Sequence, residues 1–164
     1  MKRLLILIGL KGSGKTYIGS LIHKKLGINF IRVEDIWLAI KQNRFSEEYY
    51  SEGFRLVEQE IDNQFKNSEL VTIESTGTSK FFKPFLRNLG NKYNLILIKI
   101  NASPDICLRR VKSRDSSNHI PVSDDIVEQV NSEALEVDFE YDTIIENENS
   151  SDETILMKIN EIIK

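Results

Sequence analysis

The segment Gly9–Thr16 carries a pattern that could bind phosphate. Its residues, Gly-Leu-Lys-Gly-Ser-Gly-Lys-Thr, fit G-x-x-x-x-G-K-[ST] at every defined position. Glycines allow the backbone to approach a polyphosphate closely, so that successive N–H groups point at its oxygens. In this pattern the Lys15 ammonium reaches the β- and γ-phosphates, and the Thr16 hydroxyl binds Mg²⁺. The residues predicted to hold the nucleotide phosphates are Gly9, Gly12, Ser13, Gly14, Lys15 and Thr16.

Charged residues farther along the chain could complete a site for phosphoryl transfer. This reaction needs positioning, charge neutralisation and a carboxylate that holds the hydroxyl being phosphorylated. We predict that Glu34 orients or deprotonates this hydroxyl, with Asp35 as the alternative. Both could instead serve only as acidic residues in the first turn of a helix. Arg110 and Arg114 are spaced i, i+4, so they share a helix face and could both contact phosphates.

The composition is that of one globular domain, which we place at residues 1–164. The chain is 40% hydrophobic and 29% charged, which excludes collagen-like, coiled-coil and wholly disordered proteins. One cysteine and two histidines argue against a disulfide framework and a zinc site. The net charge of −3 argues against a general nucleic-acid or membrane-surface binder, because such proteins use basic fields. No apolar stretch approaches the roughly 18 residues of a membrane span, so we expect a cytoplasmic protein.

Short apolar segments alternate with helical patterns along the chain. Strands are predicted at residues 4–8, 29–33, 70–73, 95–100 and 143–145. Apolar residues recur at helical spacing between them, and Ser150 with Glu153 is predicted to form the capping box of the last helix. Residues 113–122 lack periodicity and are predicted to form a polar loop. Repeated βα units indicate a parallel α/β sheet.

Two other classes of nucleotide-binding protein fit the sequence poorly. A GTPase would carry Asn-Lys-x-Asp after a strand, whereas residues 91–94 are Asn-Lys-Tyr-Asn and precede one. An AAA-type ATPase is usually longer and has an acidic pair at the end of its third strand, where Glu74 is followed by Ser75. A small kinase fits better.

The chain resembles the small P-loop kinases of metabolites, the group that contains shikimate kinase, gluconate kinase and the adenylate kinases. Besides the phosphate motif, the resemblance rests on residues 25–31, 53–58, 102–114 and 119–124. It implies a three-layer α/β fold of the P-loop NTPase class, in which a five-stranded parallel sheet of order 2-3-1-4-5 has helices on both faces. It also implies a short lid at about residues 114–122 that closes over the phosphates and excludes water.

The resemblance also implies roles for single residues. Arg55 matches the arginine of the family's F-R-x-x-E helix, which binds an anionic group of the acceptor. Glu74 would hold Mg²⁺ through water, as the corresponding acidic residue does in related kinases. Arg110 and Arg114 would stack on adenine or clamp phosphates, which assigns Arg114 to both nucleotide binding and catalysis. Apart from the resemblance, the place of Trp37 near Glu34 in the sequence predicts that it either stacks on an acceptor ring or packs in the core.

The chain departs from the family pattern around the acceptor. Arg32 occupies the first of two acidic positions after the second strand, and Glu34 occupies the second. Residues 74–78 replace the Gly-Gly-Gly turn that follows the third strand in shikimate kinase. The second shikimate-binding arginine is missing from the segment 131–133, which is Asn-Ser-Glu. The clamp for an acceptor carboxylate is therefore incomplete, and shikimate is not the predicted acceptor.

Together these patterns predict phosphorylation of a small-molecule hydroxyl by ATP with Mg²⁺. One alternative is a nucleotide-binding switch that hydrolyses slowly and acts through a protein partner, which the substitution at Arg32 favours. The other is a kinase of nucleosides, nucleotides or a macromolecular end. The expected partners are ATP and a small-molecule acceptor, with no nucleic acid and no membrane, and the protein is expected to act as a monomer.

Overall fold

The computed structural model of the chain describes residues 1–115 and 117–164. Within them, one parallel sheet is formed by strands β1 (Arg3–Ile8), β2 (Asn29–Ile31), β3 (Leu70–Ser75), β4 (Asn94–Asn101) and β5 (Thr143–Glu146). The strand order is β2-β3-β1-β4-β5. The order expected from the resemblance is thereby confirmed.

Seven helices surround the sheet in the described part of the chain. They are α1 (Lys15–Leu26), α2 (Val33–Ala39), α3 (Glu47–Gln64), α4 (Phe82–Gly90), α5 (Pro104–Ser113), α6 (Asp124–Glu136) and α7 (Asp152–Ile163). None of these helices combines the length and the apolar composition needed to pass through a lipid bilayer.

The central strand β1 divides the core into two layers. Its even-numbered residues, from Leu4 to Ile8, pack with α3 and α4 on one face of the sheet. Its odd-numbered residues Leu5 and Leu7 pack with α1 and α7 on the other face. Successive side chains of a strand point to opposite faces, and here both faces are covered by helices. This explains the uninterrupted apolar sequence of β1 and confirms the three-layer α/β fold.

The strand register brings the candidate site residues to one edge of the sheet. Leu7 pairs with Glu74, and Ile8 pairs with both Ser75 of β3 and Lys99 of β4. The loop that follows β1 therefore lies beside the carboxyl end of β3. In open α/β sheets this edge is where ligands bind.

The second strand is shorter than the prediction of residues 29–33. β2 ends at Ile31, and Arg32 is the extended N-cap residue of α2, which begins at Val33. Glu34 and Asp35 fall in the first turn of α2, where carboxylates interact favourably with the positive end of the helix dipole. The acidic pair thus lies directly beyond the end of β2.

The last helix is capped one residue later than predicted. The Ser151 hydroxyl accepts a hydrogen bond from the Thr154 N–H at 3.2 Å and so satisfies one free donor of α7. The Ser150 hydroxyl instead donates to the carbonyl oxygen of Glu146. Two adjacent serines are equally good caps in sequence, and the hydrogen bond to the end of β5 decides between them.

Candidate active site

A cavity of about 430 Å³ opens at the carboxyl edge of the sheet. Its walls come from the loop after β1, the end of β3, the helices α2 to α6, and the segment 114–122, which we call the lid. Ser116 of the lid lies outside the described residues. The phosphate motif lines one part of the cavity, and aromatic side chains of α2 and α3 line another part, which we call the acceptor end.

Two glycines of the phosphate motif have left-handed backbone conformations. The φ angles are 90° at Gly12 and 97° at Gly14. A Cβ atom on Gly12 would collide with the carbonyl group of Cys107, and one on Gly14 would collide with the side-chain amide of Asn147. Helix α1 begins at Lys15, so its first N–H groups, which have no partner within the helix, face the cavity end with the positive pole of the dipole. This geometry is suited to anion binding.

The Lys15 ammonium lies inside the phosphate loop. It donates to the carbonyl oxygens of Gly9 at 2.9 Å and of Leu10 at 2.8 Å. Burial lowers the pKa of Lys15 to about 8, although the charge of Glu74 opposes the shift. With this pKa the amine is still mainly protonated at neutral pH, so it can neutralise phosphate charge.

Thr16 and Glu74 form a candidate magnesium site. The Thr16 hydroxyl donates to Oε2 of Glu74 at 2.6 Å. The other oxygen of Glu74, Oε1, is buried and has no hydrogen-bond partner among the described residues. Burial raises the pKa of Glu74 against the opposing charge of Lys15. A hydroxyl and a carboxylate with a free oxygen are the hard oxygen ligands that Mg²⁺ prefers, so these residues fit the metal.

The predicted arginines of α5 lie beside the phosphate loop. Arg110 donates from Nη2 to the carbonyl oxygen of Asn147 at 2.7 Å, and its Nη1 lies 3.4 Å from the carbonyl oxygen of Ser13. Asn147 also donates to Ser13 at 2.8 Å. Arg110 and Arg114 both line the cavity, so their i, i+4 spacing places them on the same side of the site. Asn147 was not identified from the sequence, because a lone asparagine after a strand carries no motif.

Asn131 of α6 holds the phosphate loop by a reciprocal pair of hydrogen bonds. Its Oδ1 accepts from the backbone N–H of Lys11 at 2.7 Å, and its Nδ2 donates to the carbonyl oxygen of Lys11 at 3.1 Å. The side chain is only 4% exposed. From the sequence we noted only that the segment 131–133 lacks the second arginine of the family. In the structure Asn131 of this segment positions the backbone of the phosphate loop.

Glu34 is surrounded by hydrogen-bond donors and cations. Its Oε1 accepts from the N–H of Ile120 at 2.8 Å, and its Oε2 lies 2.8 Å from Nδ1 of His119. The ammonium of Lys11 lies 3.7 Å from Oε1, and the guanidinium of Arg32 lies 3.8 Å from Oε2. Burial raises the pKa of Glu34, but the Ile120 hydrogen bond and the nearby cations outweigh it and leave the pKa below its usual value. Glu34 is therefore ionised at neutral pH.

Two lid residues that contact Glu34 were not assigned to the site from the sequence. His119 and Ile120 are separated from Glu34 by more than 80 positions, and no spacing rule relates the two segments. Two signals were available, namely the resemblance carried by residues 119–124 and the presence of a histidine in a loop expected to close over the phosphates. An ionised carboxylate has only acceptors, so Nδ1 of His119 is the donor in this contact.

Two residues predicted for the acceptor site lie outside the cavity. Asp35 is 59% exposed and pairs with Arg32 at 2.7 Å. Arg55 is 58% exposed and donates to the carboxylate of Glu52 at 2.8 Å. Arg55 lies two residues from the buried Val57 on α3, a spacing that places it on the opposite face of a helix. The structure thus brings Glu34 and Trp37 to the cavity, but not Asp35 or Arg55.

The fold and the phosphate loop together define the class of protein. A parallel sheet of order 2-3-1-4-5, with G-x-x-x-x-G-K-[ST] between β1 and α1, is a nucleotide-binding domain of the P-loop NTPase class. More specifically, the family model for shikimate kinase matches residues 11–164. The chain belongs to the shikimate kinase family.

Individual relatives agree with this assignment. A shikimate kinase of Prochlorococcus marinus (strain MIT 9211) is 29% identical over 117 residues, which cover 70% of this chain and 58% of that protein. A shikimate kinase of Bartonella quintana (strain Toulouse) is 35% identical over 114 residues, covering 67% of this chain and 53% of that protein. The chain thus spans little more than half the length of these curated relatives.

A solved structure supports the fold independently. The shikimate kinase of Acinetobacter baumannii in complex with shikimate matches with a TM-score of 0.67 at 20% identity. The match covers 99% of this chain and 93% of that one.

Proposed function

We propose that the protein transfers the γ-phosphoryl group of ATP to a hydroxyl of a small molecule. The observation that carries this proposal is that one cavity holds a phosphate-binding loop at one end and the ionised carboxylate of Glu34 beyond it. Membership in the shikimate kinase family supports the same reaction class. The two ends correspond to the two substrates that a kinase must hold side by side.

Residues around the phosphate loop would bind the nucleotide. Lys15 and the first N–H groups of α1 bind the β- and γ-phosphates, and Arg110 and Arg114 add positive charge from the lid side. Thr16 and Glu74 would hold Mg²⁺, which when bound neutralises part of the phosphate charge. Stabilising charge on the transferring group is the main task of such a site, because the protein forms no covalent bond to it.

Glu34 would position the acceptor. Each of its oxygens can accept more than one hydrogen bond, so the contacts with His119 and Ile120 leave capacity for the acceptor hydroxyl. As the acceptor oxygen bonds to the γ-phosphorus, the bond from that phosphorus to the β–γ bridging oxygen breaks. The hydroxyl proton passes to the carboxylate of Glu34.

The lid would exclude water from the reaction. It connects α5 to α6 and contacts the carboxylate of Glu34 through His119 and Ile120. Water that reached the γ-phosphate would hydrolyse ATP without product, so closure over the phosphates protects the nucleotide.

Measurement of ADP release tests the proposal. The purified protein is incubated with Mg·ATP alone and with separate pools of sugars, hydroxy acids and nucleosides. We expect at least one pool to stimulate ADP release and Lys15→Ala to abolish it, while Lys24→Ala, an exposed lysine of the same helix, behaves as wild type. Slow release that no acceptor stimulates would contradict a kinase and support a nucleotide-binding switch.

A further inference from the structure

Aromatic side chains from three helices line the acceptor end of the cavity, and we call this set the aromatic wall. The ring of Trp37 on α2 lies 5.1 Å from that of Tyr49, 6.1 Å from that of Tyr50 and 5.2 Å from that of Phe54, measured between centroids. Phe54 lies 4.8 Å from Phe85 of α4. All five side chains line the cavity. Such a wall is suited to a flat or apolar ring, which can stack against it and displace water from both surfaces.

A glycine allows Trp37 to take this position. The indole ring lies directly against the backbone of Gly53 on α3, so that a Cβ atom at this position would overlap the ring. Gly53 is in the interior of an 18-residue helix, where glycine destabilises the helix relative to alanine. The close contact with Trp37 is the structural gain that offsets this cost.

The positive charges of the cavity lie around the phosphate loop and Glu34. The cations that line it are Lys11, Lys15, Arg110 and Arg114, which come from the phosphate loop, the start of α1 and the end of α5. Among the described residues, α3 and α4 contribute no lysine or arginine to the lining. Arg55 of α3 instead pairs with Glu52 on the outside. The charge of Arg44 acts on Tyr49, but this arginine is exposed and does not line the cavity. A carboxylate placed among the aromatic rings would therefore lose its hydration without a counter-ion from the lining residues of α3 and α4, which is costly.

Tyr49 adds one uncharged polar group to the aromatic wall. The residue is 2% exposed, and its hydroxyl is buried without a hydrogen-bond partner among the described residues. A buried hydroxyl that makes no hydrogen bond costs free energy, and a ligand that supplied a partner would recover it. The wall thus combines apolar surface with neutral hydrogen-bonding groups, among them the hydroxyls of Tyr49 and Tyr50.

Phe45 extends the aromatic surface to the opening of the cavity. It has a φ angle of 67°, a left-handed conformation that is unfavourable for residues other than glycine. Its ring is 51% exposed, lines the cavity and lies 6.2 Å from the ring of Tyr49. An exposed aromatic ring held at this position offers an entering ring its first apolar contact.

We propose that the acceptor is an uncharged alcohol whose aromatic or other apolar ring lies against Trp37, and not a hydroxy acid. This inference rests on the proposed kinase function, since the bound ring must present its hydroxyl to Glu34. Aryl alcohols and nucleosides share the required chemistry, and separate binding measurements distinguish these two sources.

The fluorescence of Trp37 provides a direct binding assay. It is the only tryptophan of the chain, so a change in tryptophan emission reports on this wall. The protein is titrated with 4-(hydroxymethyl)benzamide and with its anionic analogue 4-(hydroxymethyl)benzoate, and in a second arm with deoxyadenosine and thymidine. We expect one of the neutral ligands to bind at least about tenfold more tightly than the benzoate. Equal or tighter binding of the benzoate, or no binding of any neutral ring, would overturn the proposal.

Tyr49→Phe tests the polar group of the wall. The substitution keeps the ring and removes the hydroxyl, so the affinity for the best neutral ligand should fall about three- to tenfold. The thermal midpoint should not fall, because the lost hydroxyl has no hydrogen-bond partner in the part of the chain that the structure describes. Tyr17→Phe, which removes an exposed hydroxyl on α1, is the matched control and should leave the affinity unchanged. An unchanged affinity in Tyr49→Phe would contradict the role of this hydroxyl.

Comparison of fluorescence with ADP release separates the two proposals. If a neutral ring alcohol changes Trp37 emission but does not stimulate ADP release, the ring-binding wall is supported and the kinase function fails. If hydroxy acids alone stimulate ADP release, the kinase function is supported and the present inference is overturned.

Discussion

Nδ1 of His119 in the lid lies 2.8 Å from Oε2 of Glu34, the carboxylate just beyond β2. The backbone N–H of Ile120 binds the other oxygen of the same carboxylate at 2.8 Å. Two adjacent lid residues therefore hold both oxygens of the group proposed to receive the acceptor proton. The same two contacts fasten the lid to α2 and fix the orientation of Glu34.

Removal of the His119 side chain should impair turnover more than nucleotide binding. We expect His119→Ala to lower kcat about tenfold, because Glu34 loses a hydrogen bond that fixes its orientation. The dissociation constant for ATP should stay within about twofold, since His119 makes no hydrogen bond to the phosphate loop among the described residues. His119→Asn, which retains a donor, should recover part of the rate.

Hydrogen exchange checks the same contact without an acceptor. The Ile120 amide should exchange faster in His119→Ala than in the wild type, because the lid is then held by one hydrogen bond to Glu34 rather than two. His23→Ala removes the other histidine of the chain, which is on α1, and serves as the control. Unchanged exchange at Ile120 together with normal turnover would refute the role of His119.

Alanine at Gly12 should damage the phosphate loop. The residue has a φ angle of 90°, and the added methyl group would overlap the carbonyl of Cys107. We expect a loss of about 1–3 kcal/mol in unfolding free energy and a marked loss of ATP affinity, measured by denaturant titration and by calorimetry.

Gly90→Ala is the matched control for this substitution. Gly90 ends α4, and an added Cβ would meet only a methyl carbon of Leu95 at 3.7 Å, an ordinary contact. Its stability should be unchanged or about 0.5 kcal/mol higher, since alanine is the better helix residue. Equal stability of Gly12→Ala and Gly90→Ala would contradict the loop geometry.

Asn131→Ala should loosen the phosphate loop from α6. Both the N–H and the carbonyl of Lys11 lose their partner, and unsatisfied buried groups of this kind cost about 1–3 kcal/mol. We expect lower stability and weaker ATP binding, measured by thermal unfolding with and without nucleotide. Gln129→Ala on the exposed face of α6 should change neither quantity. If Asn131→Ala binds ATP as tightly as the wild type, the loop does not depend on this contact.

The stability of the protein should fall in acid partly through Glu34. Its pKa in the folded protein is below the usual value of 4.5, because the stabilising donors and cations outweigh burial. Its contribution to folding is therefore fully present above about pH 4.5 and is lost as the pH falls through the lower folded value. The groups that face this carboxylate are Lys11, Arg32, Arg114, His119 and Ile120.

Glu34→Gln provides the comparison for this pH dependence. The amide does not titrate, so the difference in unfolding free energy between wild type and variant should shrink between pH 5 and pH 3. Denaturant titration at a series of pH values measures this difference. A constant difference across the series would show that Glu34 does not couple folding to pH.

Local sequence was sufficient to predict those parts of the structure that depend on residues close together along the chain. The apolar run of β1, the glycines of the phosphate motif and the start of α1 are adjacent, so their pattern predicted the phosphate end of the site. The limits of β2 and of α7 were each missed by one or two residues. β2 ends at Ile31 because Arg32 is the N-cap residue of α2. The Ser150 hydroxyl is occupied by the carbonyl oxygen of Glu146, four residues earlier, which leaves Ser151 as the cap of α7.

The acceptor end depended on contacts between distant segments. Arg55 and Asp35 are charged residues of the kind that could bind an acceptor. However, both side chains lie outside the cavity, where they form ion pairs with Glu52 and Arg32, respectively. His119 and Asn131 were not assigned to the site from the sequence, yet they hold Glu34 and the phosphate loop, respectively.

The sequence by itself therefore determined that this protein has a parallel α/β sheet with a phosphate-binding loop after its first strand. Periodicity and a contiguous glycine motif are local properties, so they can be recognised in the sequence before the fold is known. Only the tertiary structure decided which charges meet at Glu34 and that aromatic rings wall the acceptor end. Those relationships depend on side-chain directions of helices far apart in sequence, which the packing of the core sets.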